Sequence, residues 1–292
     1  MKEYYFKVAD ICFCVQFTEP DIDTPKLIPS FAPFRMKEPD GPLLFTMTVN
    51  SKLVDREPEG EEVGQFDCGG HTHGVFRISD GYKFQFRNVN GEIASAMRAH
   101  DSFTRCEVSL YGHEPNRGYG LSNALMIAFA YAGANHSIIL MHASVTAFKE
   151  RGYLFLGVSG TGKSTHSSLW IKHIPDCELL NDDNPAVRVL DDKIFVYGTP
   201  WSGKTPCYRN LRFEAGAFVR LKQFPENIIE RDDIIKSFGY LFASTSSMIW
   251  DKPSHDAICD TITSVISKVP VYYLRCLPNE EAALLCNKTV TQ

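Results

Sequence analysis

The sequence predicts an α/β protein with a mostly β N-terminal domain, residues 1–115, followed by a mixed-sheet α/β domain, residues 116–292. Short runs rich in aromatic and β-branched residues, separated by glycine, proline and acidic clusters, fill the first domain. In the second domain, an apolar strand, a glycine-rich loop and a helix follow one another over residues 152–173. An apolar run just before that strand predicts a hairpin, and a hairpin makes the sheet mixed instead of all parallel.

Six strands are predicted in the N-terminal domain, at residues 4–8, 11–17, 43–49, 74–78, 83–87 and 105–110. Residues 25–42 are rich in proline and predict irregular structure. Asn90-Gly91 suits a two-residue hairpin turn, and residues 92–100 fit either a short helix or a further strand. The sequence of this domain contains no catalytic constellation, so we expect a role in recognition or in structure.

Composition and charge exclude several classes of protein. Apolar residues make up 44% and charged residues 22% of the chain, an ordinary globular balance. The net charge of −5, with no basic run, offers no electrostatic surface for a nucleic-acid or membrane partner. Residues 124–134, the most apolar stretch, are too few to span a bilayer, and the first residues lack the apolar core of a signal peptide. We expect a cytoplasmic protein whose nine cysteines are reduced, and a homo-oligomer is compatible with this composition.

The second domain opens with a predicted helix and a predicted hairpin. Apolar residues recur every three or four positions over residues 121–134, which indicates the helix. Residues 137–145 then predict a strand, 149–152 a turn, and 153–156 the return strand. The hairpin therefore leads directly into the glycine-rich loop.

That loop, Gly157-Val158-Ser159-Gly160-Thr161-Gly162-Lys163-Ser164, fits G-x-x-x-x-G-K-[ST], the Walker A or phosphate-loop (P-loop) motif. Its glycines let successive backbone N–H groups face one anion, and the helix over residues 164–173 would point its positive end at the same anion. A chance glycine turn is the alternative, but strand, loop and helix occur in the required order.

The motif predicts a site for a nucleotide, ATP, and for its Mg²⁺ ion. Lys163 would reach the β- and γ-phosphates, and the Ser164 hydroxyl would hold the metal. The predicted cofactor-binding residues are Gly157, Ser159, Gly160, Thr161, Gly162, Lys163, Ser164 and Thr165.

A second feature is the pair Asp182-Asp183, which ends a short apolar run beginning at Glu178. A carboxylate at a strand end beside a phosphate loop suits Mg²⁺, and a neighbouring carboxylate can accept a proton from an attacking hydroxyl. Adjacent strand residues point to opposite faces, so both can serve only if the strand ends or bends there. Asn184-Pro185 favours such an end. The alternative is an exposed acidic turn.

Three further residues are candidates. His142 lies on the strand predicted to run antiparallel to the loop strand, where it would reach the phosphates; the alternative is a buried core histidine. A second glycine-bearing loop follows the predicted strand that ends near residue 197. Lys204 and Arg209 in or after this loop are candidate cations for a phosphate or an acidic substrate, and a structural turn with solvated cations is the alternative.

Taken together, His142, the loop of residues 157–164 and Asp182-Asp183 resemble the catalytic domain of HPr serine kinase/phosphorylase. This domain shares its fold with phosphoenolpyruvate carboxykinase. The resemblance covers residues 120–292 and implies a phosphate-loop domain of that type. It also implies catalytic roles for Lys163, for Asp182 as the base and for His142 as its neighbour, with Ser164 and Asp183 as metal ligands.

The resemblance implies an ATP- and Mg²⁺-dependent kinase that phosphorylates a hydroxyl of a protein, a peptide or a small molecule. The loop Lys-Ser is followed by Thr165, as in carboxykinases, where HPr kinases carry glutamate. Two alternatives stay open: a non-catalytic ATP-binding regulator and a carboxykinase-like enzyme. The presence of both Asp182 and Asp183 favours an enzyme, since nucleotide binding needs only one metal ligand.

Overall fold

The computed structural model describes residues 1–19, 24–67, 72–100, 102–203 and 205–292. The chain divides into two compact units, Met1–Gly133 and Ala134–Gln292. The predicted domains divide instead at residue 115, before a long helix that the structure assigns almost entirely to the first unit. Among the described residues, no helix is long and apolar enough to cross a membrane.

The first unit is built on a nine-stranded mixed sheet with the strand order β3-β1-β2-β4-β9-β8-β7-β6-β5. Its strands are β1 (Lys2–Val8), β2 (Ile11–Phe17), β3 (Arg35–Met36), β4 (Leu43–Val49), β5 (Glu61–Asp67), β6 (Thr72–Ile78), β7 (Gly81–Arg87), β8 (Ile93–His100) and β9 (Arg105–Leu110). Its helices are α1 (Thr24–Leu27), a 3-10 helix (Pro29–Phe34) and α2 (Glu114–Ala134).

Aromatic side chains fill the core of the first unit. Phe13 stacks on Phe45 with ring centroids 4.8 Å apart, and Tyr82 stacks on Phe103 at 5.9 Å. All four side chains are buried, and paired rings of this kind contribute packing beyond the apolar area that they bury. Strand β8 also resolves the open choice for residues 92–100, which form a strand and not a helix.

The second unit contains a further nine-stranded sheet. Its strands are β10 (Ile138–Leu140), β11 (Ala143–Phe148), β12 (Arg151–Leu156), β13 (Glu178–Asp183), β14 (Ala186–Leu190), β15 (Lys193–Tyr197), β16 (Arg212–Gln223), β17 (Ile228–Arg231) and β18 (Val271–Cys276). Its helices are α3 (Lys163–His173), α4 (Ile234–Ala243), α5 (Lys252–Lys268) and α6 (Glu280–Val290). The order is β10-β14-β15-β16-β12-β11-β13, with β18 pairing with β16 and β17.

This sheet is mixed, as predicted. Strand β12 pairs antiparallel with β11 and parallel with β16. Lys149 and Glu150 join β11 to β12 with φ angles of 48° and 59°, the left-handed pair that a two-residue hairpin turn needs. Since β18 is parallel to β16, and β13 is antiparallel to β11, strands β12, β13, β16 and β18 all end at the same edge. In open α/β sheets, ligands bind outside such an edge.

Helices cover both faces of the second sheet. Tyr153 and Phe155 pack against Trp170 of α3, whereas Leu154 belongs to the core that includes Ile262 of α5. The two sets alternate along β12 because successive strand residues point to opposite faces. A strand buried on both faces explains why residues 152–156 form a continuous apolar run.

The prediction of one strand over residues 137–145 is wrong, because the segment breaks into β10 and β11. At the break, the Met141 N–H donates to the Pro185 carbonyl at 3.0 Å, and the His142 N–H donates to the Ser244 carbonyl at 2.6 Å. These two bonds take His142 out of the ladder between strands. The partners lie far along the chain, so the strand pattern gave no sign of the break.

His166 of α3 is a buried histidine with an apolar neighbourhood. Its Nε2 accepts a hydrogen bond from Trp170 Nε1 at 3.1 Å, and its ring meets Phe155 edge-on at 4.8 Å. The side chain is 3% exposed, and this burial lowers the pKa of His166 to about 4. The residue is therefore neutral in the folded protein near neutral pH.

We expect His166→Gln to reduce the acid sensitivity of folding. The folded-state pKa, about 4, lies below the unfolded value of 6.5, so the unfolded chain takes up this proton first as the pH falls. The stability that neutral His166 contributes is present above pH 6.5 and is lost as the pH falls toward 4, by up to about 1.4 kcal/mol per pH unit. Urea unfolding of both proteins across this pH range measures the difference. His136→Gln, at an exposed site, should keep the wild-type pH slope, and equal slopes for all three proteins would contradict the expectation.

Candidate functional site

The pairing of Ala143 determines which residues meet at the sheet edge. Ala143 opens β11 and lies opposite Leu156, the last residue of β12, on one side. On its other side it lies opposite Asp183, the last residue of β13. His142, the loop after Leu156 and the Asp182-Asp183 pair therefore converge, as the sequence predicts.

The loop between β12 and α3 depends on left-handed backbone at its glycines. Gly160 and Gly162 have φ angles of 80° and 109°. A Cβ atom at either position would meet no atom within 4 Å, so the backbone conformation, and not crowding, requires glycine here. The open side of these two residues is a cradle that a bound anion can approach closely.

The N-terminus of α3 completes this cradle. Gly162 is the N-cap residue, and no described side chain caps the helix. The first N–H groups of a helix have no partner within it, and together with the helix dipole they attract an anion. Gln223 Nε2, at the end of β16, donates to the carbonyl of Gly160 at 3.3 Å, which fixes the loop from outside. The loop and helix start fit the phosphate groups of a nucleotide.

Lys163 connects the loop to the other functional residues. Its Nζ donates to the Gly157 carbonyl at 2.8 Å and lies 2.9 Å from His142 Nε2. Burial lowers the pKa of Lys163, while the charges of Asp183 and Asp182 oppose this effect. The ammonium group is therefore held over the loop in a partly dry setting, where its attraction for a phosphate is stronger than in water.

The two aspartates occupy different environments. Asp182 is 4% exposed, and its Oδ1 accepts a hydrogen bond from Ser164 Oγ at 2.9 Å. Asp183 is 34% exposed; its Oδ1 lies 3.0 Å from His142 Nδ1, and its Oδ2 accepts from Asn184 Nδ2 at 2.8 Å. The φ of Asp183 is 137°, a strained value that ends the strand and lets neighbouring carboxylates both reach the site.

The observed pairing of these aspartates differs from the expected one. His142 is predicted beside Asp182, and Ser164 with Asp183 in a metal site, but Ser164 contacts Asp182 and His142 contacts Asp183. Both residues belong to β13, but the φ of Asp183, its last residue, is unusual. The Asp182 side chain meets the start of α3, and the Asp183 side chain meets His142.

The residues present fit a magnesium ion. Ser164 and Asp182 supply a hydroxyl and a carboxylate oxygen side by side at the mouth of the loop, and Mg²⁺ takes one or two such ligands together with phosphate oxygens. Among the described residues, no group of three His, Cys, Asp or Glu side chains is arranged to hold a metal by itself.

The second glycine-bearing loop holds the end of β13 in place, a role that the sequence did not reveal. Asn181 is fully buried, and its Nδ2 donates to Thr199 Oγ1 at 3.2 Å and to the Trp201 carbonyl at 3.1 Å. Ser202 Oγ donates to the Asp182 carbonyl at 3.0 Å. The sequence feature that could have indicated this role is Asn181, an amide side chain immediately before two carboxylates in an apolar run.

Of the two cations predicted for substrate binding, the structure describes only Arg209. Lys204 lies outside the described residues. Arg209 donates to the Leu179 carbonyl at 2.7 Å and pairs with Glu178 at 2.9 Å. These contacts lie at the start of β13, about 13 Å along the strand from Asp183 at 3.3 Å per residue. A substrate contact for Lys204 or Arg209 stays a prediction.

Two clefts flank the phosphate loop, and Gly160 and Thr161 line both of them. The first has a volume of about 570 Å³ and is also lined by His142 and Arg220. The second, about 300 Å³, lies against Thr165 and residues 276–278, which are the last residue of β18 and the two that follow it. The loop therefore separates a cleft on the His142 side from a cleft on the side of the first helical turn.

No protein-family model and no curated protein matches this chain. Among solved structures, the chain is similar to the Hpr(Ser) kinase/phosphatase from Coxiella burnetii, with 13% sequence identity and a TM-score of 0.31. The similarity covers 52% of this chain and 87% of that chain. A similarity of this size does not establish a common fold or activity, so function has to be inferred from the site itself.

Proposed function

We propose that the second unit is an ATP- and Mg²⁺-dependent kinase that transfers the γ-phosphoryl group to a hydroxyl. The observation that carries this proposal is the continuous set of contacts at the loop, from Asp183 through His142 to Lys163, beside the Ser164–Asp182 pair. A phosphoryl-transfer enzyme needs a cation for the phosphates, ligands for the metal and a base for the hydroxyl, and this set supplies all three.

The nucleotide occupies the loop and the second cleft in this proposal. The phosphates lie in the cradle of Gly160 and Gly162, against Lys163. Thr165, in the first turn of α3, lines the second cleft, so a nucleotide whose phosphates cap this helix can extend into that cleft. The cleft lies outside the ends of the parallel strands β12, β16 and β18, the usual ligand position in α/β sheets.

The metal-binding role falls on Ser164 and Asp182, because these two oxygens are already adjacent. Bound Mg²⁺ supplies positive charge that offsets the charge of the phosphate oxygens. Asp182 is nearly buried, so its carboxylate has little access to an incoming acceptor. These facts support a metal role for Asp182 and a proton-transfer role for Asp183.

Asp183 is the base in this mechanism. Its carboxylate is partly exposed and takes the proton of the acceptor hydroxyl as the oxygen–phosphorus bond forms. The bond between the γ-phosphorus and the β,γ-bridging oxygen breaks, and ADP leaves with its electron pair. His142 contacts both Asp183 and Lys163, so it positions the base relative to the phosphate-binding cation.

Lys163→Ala should abolish binding of Mg²⁺–ATP and leave the fold intact, because the Lys163 ammonium group serves the ligand and not the core. Calorimetric titration of ATP measures the affinity, and circular dichroism monitors the fold. Lys172→Ala, an exposed lysine on the same helix, is the matched control and should bind as the wild type does. Equal ATP affinity in all three proteins would refute the assignment of the loop.

Substitutions at the two aspartates should separate the metal role from the base role. Asp183→Asn should keep ATP affinity and lose roughly two to four orders of magnitude in turnover, the usual share of a general base. Asp182→Asn should weaken Mg²⁺-dependent ATP binding as well as turnover.

Titrations with and without Mg²⁺, together with phosphoryl transfer from labelled ATP to fractions of cell lysate, measure both effects. The reverse pattern would restore the assignment expected from the sequence. ATP binding without transfer to any fraction would favour a non-catalytic regulator.

A further inference from the structure

Arg220 forms one wall of the first cleft in an unusual setting. Its guanidinium carbon lies 3.5 Å from the ring centroid of Tyr240 and 3.3 Å from that of Tyr273. Its Nε lies 3.6 Å from Asp232, and the side chain is 15% exposed. The two rings and the carboxylate restrict this normally flexible side chain, so Arg220 loses little further side-chain entropy when it binds a ligand.

The rest of the lining makes this cleft electropositive. Lys222 follows Arg220 by two positions on β16, so both point to the same face of the sheet. Both residues line the cleft, and Lys222 is exposed. No acidic side chain lines it among the residues that the structure describes. The cleft therefore has the chemistry of a site for an anionic group, which a guanidinium binds with paired hydrogen bonds.

His142 connects this cleft to the reacting groups. It lines the cleft and contacts both Asp183 and Lys163. A compound in the cleft can thus place one end beside the proposed base and the other near Arg220. The volume, about 570 Å³, suits a small molecule, since ligand pockets span roughly 300–1,000 Å³.

We infer that the first cleft binds the phosphoryl acceptor, and that this acceptor is a small hydroxyl compound carrying an oxyanion group held by Arg220 and Lys222. This inference rests on the proposed kinase function and adds the class of its substrate. The acceptor hydroxyl lies at the His142 end of the cleft, where Asp183 takes its proton. The oxyanion group binds the Arg220 guanidinium, which lies between the rings of Tyr240 and Tyr273.

The test compares acceptors that differ in one group. Labelled ATP and Mg²⁺ are incubated with the full chain and with D-glycerate, L-serine or glycerol 3-phosphate, and with the counterparts glycerol and L-serinamide, which lack the oxyanion. At least one oxyanion compound should be phosphorylated with kcat/KM at least about tenfold above its counterpart, the worth of a charged hydrogen bond. Glycerate or serine as the better acceptor identifies a carboxylate, and glycerol 3-phosphate identifies a phosphate.

Two variants assign that preference to the cleft. Arg220→Gln combined with Asp232→Asn removes the cation without leaving a buried carboxylate unpaired, and Lys222→Gln changes only an exposed side chain. Both should lower kcat/KM for the oxyanion compound toward that of its counterpart, with KM for ATP unchanged. Arg151→Gln, an exposed arginine at the opposite end of β12, is the control and should match the wild type.

Three results would overturn the inference. Equal use of the oxyanion compounds and their counterparts would remove the anion site. A raised KM for ATP in the Arg220 variant would place the nucleotide in this cleft instead. No transfer to any of these compounds, in a protein that binds ATP through Lys163, would exclude a small acceptor of this class while leaving the kinase proposal intact. Absence of ATP binding would refute the kinase proposal itself.

Discussion

The candidate site depends on one pairing constraint, the position of Ala143 between Leu156 and Asp183. Strand β11 pairs with both β12 and β13, and this register places the last residues of the two strands side by side across Ala143. A buried hydrogen bond of 2.6 Å between Ser144 of β11 and Ser167 of α3 fixes the helix to the same strand. A shift of β11 by one residue would turn its side chains to the opposite face and separate the loop from the carboxylates.

The parts of the site that follow from local sequence were predictable. Turn glycines, a strand of continuous apolar residues and a helix start lie within a few positions of one another, so residues 152–173 and the hairpin before them follow from pattern alone. The end of β13 at Asp183 was also indicated, because Asn184-Pro185 cannot continue a ladder. The mixed sheet was also predictable from local sequence, because the short turn before β12 can join only antiparallel strands.

The parts that depend on distant partners were not predictable. The break before His142 is produced by the carbonyls of Pro185 and Ser244. The support of β13 comes from Asn181 and the loop that contains Thr199. Neither contact leaves a periodic pattern, and a single sequence contains no record of long-range hydrogen bonds. The positive φ of an aspartate is equally invisible, although it decides which carboxylate meets which partner.

The difference between Asp182 and Asp183 follows from this geometry. Two adjacent carboxylates of like charge destabilise each other unless each has its own partners. Asp182 is nearly buried beside a hydroxyl, and its backbone carbonyl is held by Ser202. Asp183 is partly exposed beside an imidazole and an amide. In the proposed mechanism, these different environments let two identical side chains serve two purposes. The strained φ of Asp183 is the structural cost of placing the two carboxylates in different environments. The contacts around Asp183 hold this conformation in place.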